Sequence, residues 1–318
     1  MSDVEIGRSK RARAAYSFDD VSLVPSRRTR DDALVSLDWK IDAYSFNHPI
    51  IAAPMDSVVS PSSAKTFAAA GGLAILNLEG VWTRYEDPTG VLNDIAALDS
   101  KGATAKLQEI YAKPIKPELI AARIQEMRAS GITVAGALSP QRTAQFAKQV
   151  VDAGVDIFVI RGTTVSAEHV SNGGEALNLK EFIYQLDVPV IVGGCATYTA
   201  ALHLMRTGAA GVLVGFGGGA AHTTLDVLGV RVPMASAVAD VAAARRDYLD
   251  ESGGRYVSVI ADGSMGRSGD VSKAIALGAD AVVVGSTFAR ATDAPGRGKH
   301  WGIEATHLEL PRGELVDL

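Results

Sequence analysis

Cysteine is almost missing from this chain: Cys195 is the only one in 318 residues. That excludes an internal disulfide framework and a cysteine-rich metal site. No apolar run reaches the ~18 residues that a membrane-spanning helix requires, so no membrane partner is expected. A basic excess is also lacking. The formal net charge is −5, which gives no argument for nucleic acid or an anionic surface as partner. The first residues, "MSDVEIGRSKRARAAYSF", are basic, but no apolar core follows them. They do not read as a secretory signal, and a cytoplasmic location is expected. Aromatic residues make up only 6%.

What the chain has instead is glycine, 32 residues of it, and 47% hydrophobic residues. The glycines are not low complexity. They cluster just after apolar runs. Eight such runs recur: "PIIAAPM" (49–55), "LAILN" (73–77), "ITVAGAL" (132–138), "DIFVIRG" (156–162), "VPVIVGG" (188–194), "GVLVGF" (211–216), "VSVIADG" (257–263) and "AVVVGS" (281–286). Continuous Val/Ile/Ala runs without polar alternation suit strands buried on both faces, as in parallel sheets. Helical stretches lie between most of them. "SPSSAKTFAAAGG", "SPQRTAQFAKQVVDAG" and "TYTAALHLMRTGA" begin with capping residues and stop at glycine. A weak repeat joins "DAGVDIFVIRG", "RTGAAGVLVGFG" and "ALGADAVVVGS": helix end, glycine, then a buried strand ending in glycine.

Eight strands alternating with helices predict a single-domain α/β fold, a (β/α)8 TIM barrel, with an open doubly wound sheet as the alternative. The stretch 78–131 is longer than one helix needs, and "KPIKPELIAARIQEMRASG" is its clearest helix. After the eighth run, "STFARATDAPGRGKHWGIEATHLELPRGELVDL" reads as mostly loop, with no helix to cover the seam between strands eight and one. The chain is expected to be cut short there, or to cover the seam in another way.

In such barrels ligands sit at the C-terminal ends of the strands. Those ends read Met55-Asp56-Ser57, Asn77, Arg161-Gly162, Gly193-Gly194-Cys195, Gly215 to His222, Asp262-Gly263-Ser264 and Gly285-Ser286. The small residues let backbone approach a ligand closely. The turns after strands seven and eight suit a phosphate, and Asp262 suits a ribose diol, because a carboxylate accepts twice. His222 is either a general base or donor facing a ligand, or a loop histidine bonded to backbone. Arg161 is free to pair with a phosphate, with Asp156 or with Glu168. His169, His203 and His300 show no metal-ligand spacing, and no metal is expected.

The motifs "YSFDDVSLVPSRRT" (16–29), "AAPMDSV" (52–58), "GGLAILN" (71–77), "VGFGGGAAHTT" (214–224), "VPMASAVADV" (232–241), "IADGSMGRSGDVSKAIALGADAVVVGSTFA" (260–289) and "TDAPG" (292–296) closely resemble the IMP dehydrogenase/GMP reductase family. Within it the chain is most similar to the shorter IMP-dehydrogenase-related proteins of actinobacteria. The stretch 78–131 is too short for the paired CBS module that many members insert after strand two. The resemblance implies a TIM barrel, a homotetramer and a purine nucleoside monophosphate (IMP, XMP or GMP) across the strand ends. It would place Asp262 at the ribose hydroxyls and Gly263, Gly285 and Ser286 around the phosphate. Ala53 and Met55 would lie near the purine, and Gly217, Gly218 and Gly219 beside the nucleotide.

It also implies an oxidoreductase in which a cysteine thiolate attacks the purine and hydride passes to NAD. Here the matching positions depart from the pattern. His222 stands where the family has its cysteine, followed by Thr224 as a second catalytic position. Ala220 replaces a serine and Leu225 an arginine. The cofactor-side positions, an aspartate and a Gly-Asn pair in the family, read Arg161 and Gly194. A catalytic flap would follow "GEL", where this sequence stops. The expected function is therefore an IMP dehydrogenase-related oxidoreductase with NAD as cofactor. The alternative is a non-catalytic purine-nucleotide-binding protein, with GMP reduction third.

Overall fold

The computed structural model describes residues 3–169, 177–308 and 313–318. Its centre is a closed barrel of eight parallel strands: β1 (Ile50–Ala52), β2 (Leu73–Asn77), β3 (Ala135–Leu138), β4 (Ile157–Arg161), β5 (Val190–Cys195), β6 (Gly211–Val214), β7 (Ser258–Asp262) and β8 (Ala281–Val284). Each run read as a strand from sequence is one of them. The open-sheet alternative fails at the seam, where Val282, Val283 and Val284 of β8 register with Ile50, Ile51 and Ala52 of β1. β3, β6, β7 and β8 are buried along their whole length. Both faces are covered, one by the barrel interior and one by helices, which is why these strands show no polar alternation.

The helices start where their caps dictate. α1 (Pro61–Ala69) follows Ser60, whose hydroxyl accepts from the Ser63 amide, with proline at the first helical position. The stretch 78–131 forms α2 (Thr89–Ala96), α3 (Ala103–Tyr111) and α4 (Pro117–Arg128). α5 (Pro140–Asp152) and α6 (Leu179–Tyr184) follow β3 and β4. α7 (Tyr198–Arg206) follows Thr197, which caps the Ala200 amide. Beyond the glycine run come α8 (Thr224–Leu228) and the long α9 (Met234–Glu251). α10 (Ser268–Ala276) and the short α11 (Ser286–Ala289) complete the ring.

The C-terminal stretch is more ordered than its composition suggests. Phe288 of α11 meets Phe67 of α1 edge-on, with ring centroids 4.5 Å apart. This ties the chain after β8 to the helix after β1. Residues 299–301 then pair antiparallel with 315–317. Trp301, Ala305 and Leu315 join Val81, Ile95, Leu107 and Tyr111 in a second, smaller apolar cluster. The loop reading is thus corrected for the described residues, while 309–312 lie outside them. The physical reason is tertiary: Trp301 and Leu315 find apolar partners only because α2 and α3 stand beside the barrel mouth. That packing brings residues 300–304 over the strand ends.

Candidate functional site

β1, β4, β6, β7 and β8 each contribute to one cavity of about 400 Å³ at the C-terminal face of the barrel. That volume lies within the usual range for small-molecule sites. Ala53, Met55, Gly217, Gly218, Gly219, His222, Asp262, Gly263, Gly285, Ser286 and Arg161 all line it. Two residues that the resemblance placed in the catalytic and cofactor sites, Thr224 and Gly194, do not. Thr224 is buried, and its hydroxyl donates to Glu304 Oε1 at 3.3 Å. Gly194 is enclosed inside the mouth: its amide donates to the Gly162 carbonyl and its carbonyl accepts from Val165. A Cβ there would lie 2.2 Å from the Gly215 carbonyl oxygen.

The glycine run is shaped by close approach rather than by flexibility. Gly215 has φ +110°, and a Cβ on it would meet the Asp262 carbonyl and Met234 Sδ, both at 2.5 Å. A Cβ on Gly218 would meet Ser264 Oγ at 2.6 Å. The loop after β6 therefore packs directly on the turn after β7. Side chains would push these two walls of the cavity apart.

Arg161 crosses the mouth to Asp262. Its Nε lies 2.7 Å from Oδ2, and Nη2 lies 3.3 Å from Oδ1. Of the two carboxylate partners that sequence offered, Asp156 and Glu168, the structure engages neither with Arg161. Asp156 is held by Arg128 at 3.4 Å and accepts from the Val134 amide. Glu168 is exposed beside His203. Asp262 wins because the ends of β4 and β7 face the same small space. Burial opposes the Arg161 charge, but the Asp262 carboxylate more than offsets it and raises the guanidinium further. The carboxylate expected at a ribose diol is thus already bonded through both oxygens. Each oxygen keeps a lone pair for a ligand hydroxyl.

His222 Nδ1 lies 2.6 Å from Glu304 Oε1, and only 2% of the Glu304 side chain is exposed. Burial pushes the Glu304 carboxyl up. The hydrogen bond and charge of His222 outweigh it and hold the carboxyl below its ordinary value. His300, read from sequence as ordinary, is buried, lines the cavity and shares a 2.8 Å hydrogen bond through Nδ1 with Ser57 Oγ. Burial, helped by nearby His222, pushes His300 down to about 4, so it is neutral near pH 7. Nothing local in sequence signals Glu304 or His300; both enter through the folding of the C-terminal stretch. Cys195, the only thiol, is 1% exposed, with Sγ 3.4 Å from the Leu213 carbonyl. Burial raises it to about 12. A thiol so held is no nucleophile at neutral pH.

A second chamber of about 760 Å³ adjoins the first and shares Met55, Gly162, Thr163, Ile303 and Glu304 with it. Asp56 forms part of its wall. It accepts from Tyr111 at 2.5 Å and from the Val81 amide at 2.9 Å. Trp301 Nε1 donates in turn to the Tyr111 hydroxyl at 2.8 Å.

A closed parallel barrel with a glycine-lined cavity over strands six to eight defines an α/β barrel with a cavity of small-molecule size at its C-terminal face. The family model described as the IMP dehydrogenase/GMP reductase domain matches residues 15–304, and the chain belongs to that family. A Mycobacterium tuberculosis protein described as an uncharacterized oxidoreductase is 50% identical over 321 residues, covering 99% of this chain and 86% of its own. The inosine-5'-monophosphate dehydrogenase of Methanocaldococcus jannaschii is 28% identical, over 90% of this chain and 74% of its own. The crystal structure of an IMP dehydrogenase/GMP reductase-like protein from Corynebacterium glutamicum superposes with a TM-score of 0.94 at 50% identity, covering 99% of this chain and 84% of that one.

Proposed function

We propose that the barrel mouth binds a purine nucleoside 5'-monophosphate, and that it does so without the thiolate chemistry with which its family begins. One observation carries the reading: the motif residues after five different strands line one cavity of about 400 Å³. In this reading the phosphate lies over Gly263, Gly285 and Ser286. The ribose faces Asp262, beside Arg161. The base lies between Met55 and Gly217–Gly219. IMP, XMP and GMP all carry the groups this requires. Assembly as a homotetramer belongs to the same reading, and light scattering checks it.

The nicotinamide side does not fit the residues expected there. Arg161 is engaged by Asp262, and Gly194 is walled in by Gly215. Hydride transfer to NAD does not follow from such an arrangement. Oxidation of the nucleotide, with hydride passing to NAD held by residues other than Arg161 and Gly194, stands as a second reading, favoured by the His222–Glu304 pair, which puts a proton-accepting ring where the family keeps its thiol.

Calorimetric titration with IMP, XMP and GMP tests the binding reading; heat from none of them would refute it. Incubation with IMP and NAD, followed by NADH absorbance, tests the second. Turnover that disappears in His222→Ala would establish an enzyme.

A further inference from the structure

His222 and Glu304 stand 82 positions apart and meet at 2.6 Å. The pair is built into its surroundings on both sides. A Cβ on Gly219 would lie 2.9 Å from His222 Cδ2, and one on Gly302 would lie 2.8 Å from Glu304 Oε2. Glycine at both positions makes room for ring and carboxylate together. Thr224 donates a second hydrogen bond to the same carboxylate oxygen at 3.3 Å. The charges around them are Arg161, whose charge favours an ionised Glu304, then Asp262 beyond it, and the neutral His300.

An ionised carboxylate has no proton to give, so His222 Nδ1 must be the donor. In its neutral form the ring then carries its single proton on Nδ1 and leaves Nε2 bare. Nε2 has no hydrogen-bond partner among the described residues, and the ring lines the ligand cavity. We propose that Glu304 is a positioning residue: it holds the His222 proton on Nδ1 and so presents Nε2 to the cavity as an acceptor, which selects a ligand whose base carries an N–H donor. The selection rests on the nucleotide reading above; the arrangement of the pair does not. The ligand class is a 6-oxopurine nucleotide with its ring N–H intact.

Two measurements test it. The first uses protein without ligand, labelled with ¹⁵N-histidine, at pH 8, with His222→Gln identifying the signal. Expected is a protonated Nδ1 and a bare Nε2 in the parent. The opposite tautomer should gain population in Glu304→Gln, where the charge is gone. A parent ring protonated on Nε2 overturns the positioning role. The second compares IMP with its N1-methyl analogue by calorimetry. The parent should bind IMP about tenfold more tightly, one hydrogen bond's worth, and His222→Phe should lose the difference. Equal affinity for the two compounds in the parent overturns the selection. Binding of neither overturns the nucleotide reading and the selection with it, while the tautomer result judges the Glu304–His222 arrangement by itself.

Discussion

Asp56 lies wholly inside the protein between β1 and the inserted helices, with three hydrogen bonds and no ion pair among the described residues. Burial pushes its carboxyl up from 3.8 to about 6, against the bonds from Tyr111, Val81 and Asn77 and the charge of Arg84, which pull it down. Between those two values the folded chain holds a proton that the unfolded chain has lost. Stability therefore falls as pH rises through that window, and the penalty is complete above about 6. A shift of about two units corresponds to about 3 kcal/mol. Asp56→Asn keeps the shape and an acceptor for Tyr111 but cannot ionise. Its cost should not depend on pH. The measurement is urea unfolding of parent and variant, followed by fluorescence, in steps from about pH 4 to about pH 8. The variant should gain about 3 kcal/mol on the parent across the series, because all other titrating groups are common to both and cancel in the difference. A difference that stays level with pH would mean that Asp56 keeps an ordinary carboxylate value, and that its hydrogen bonds compensate burial fully.

Three further outcomes follow from the cavity and the core beneath it. Gly263 has φ +121°, and a Cβ there would find only the Gly218 backbone, 3.8 Å away. Gly263→Ala should thus cost about 1–2 kcal/mol through backbone strain rather than crowding, and weaken binding of both IMP and inorganic phosphate; unchanged calorimetric affinity would move the phosphate elsewhere. Removing the guanidinium in Arg161→Met should destabilise the fold by about 3 kcal/mol, because Asp262 is left as a nearly buried charge. Asp262→Asn in the same chain should recover part of that loss, and a double-mutant cycle with no coupling would refute the strut. Cys195 should resist a thiol reagent such as DTNB until the protein is unfolded in guanidinium; fast labelling of the native protein would contradict its burial.

The barrel was legible from local pattern. Val/Ile runs such as 211–214 and 281–284 bury both faces, and Ser60 and Thr197 announce helices whatever the rest of the chain does. The glycines at the mouth were legible for a similar reason: Gly215 and Gly218 leave no room for a Cβ where the loop after β6 packs on the turn after β7, Gly263 needs a positive φ, and such constraints stay written at single positions. Partner choice is a different matter. Arg161 and Asp262 are 101 residues apart, and His222 and Glu304 are 82 apart. Ser57 and His300 are separated by 243. None of these pairs has a spacing that marks it, since each depends on which strand ends converge and on where Trp301 and Leu315 find apolar cover. Residue types along the chain set the elements and the glycine-lined mouth. The charge pairs that close over that mouth exist only once the barrel has shut and the C-terminal stretch has packed on α2 and α3.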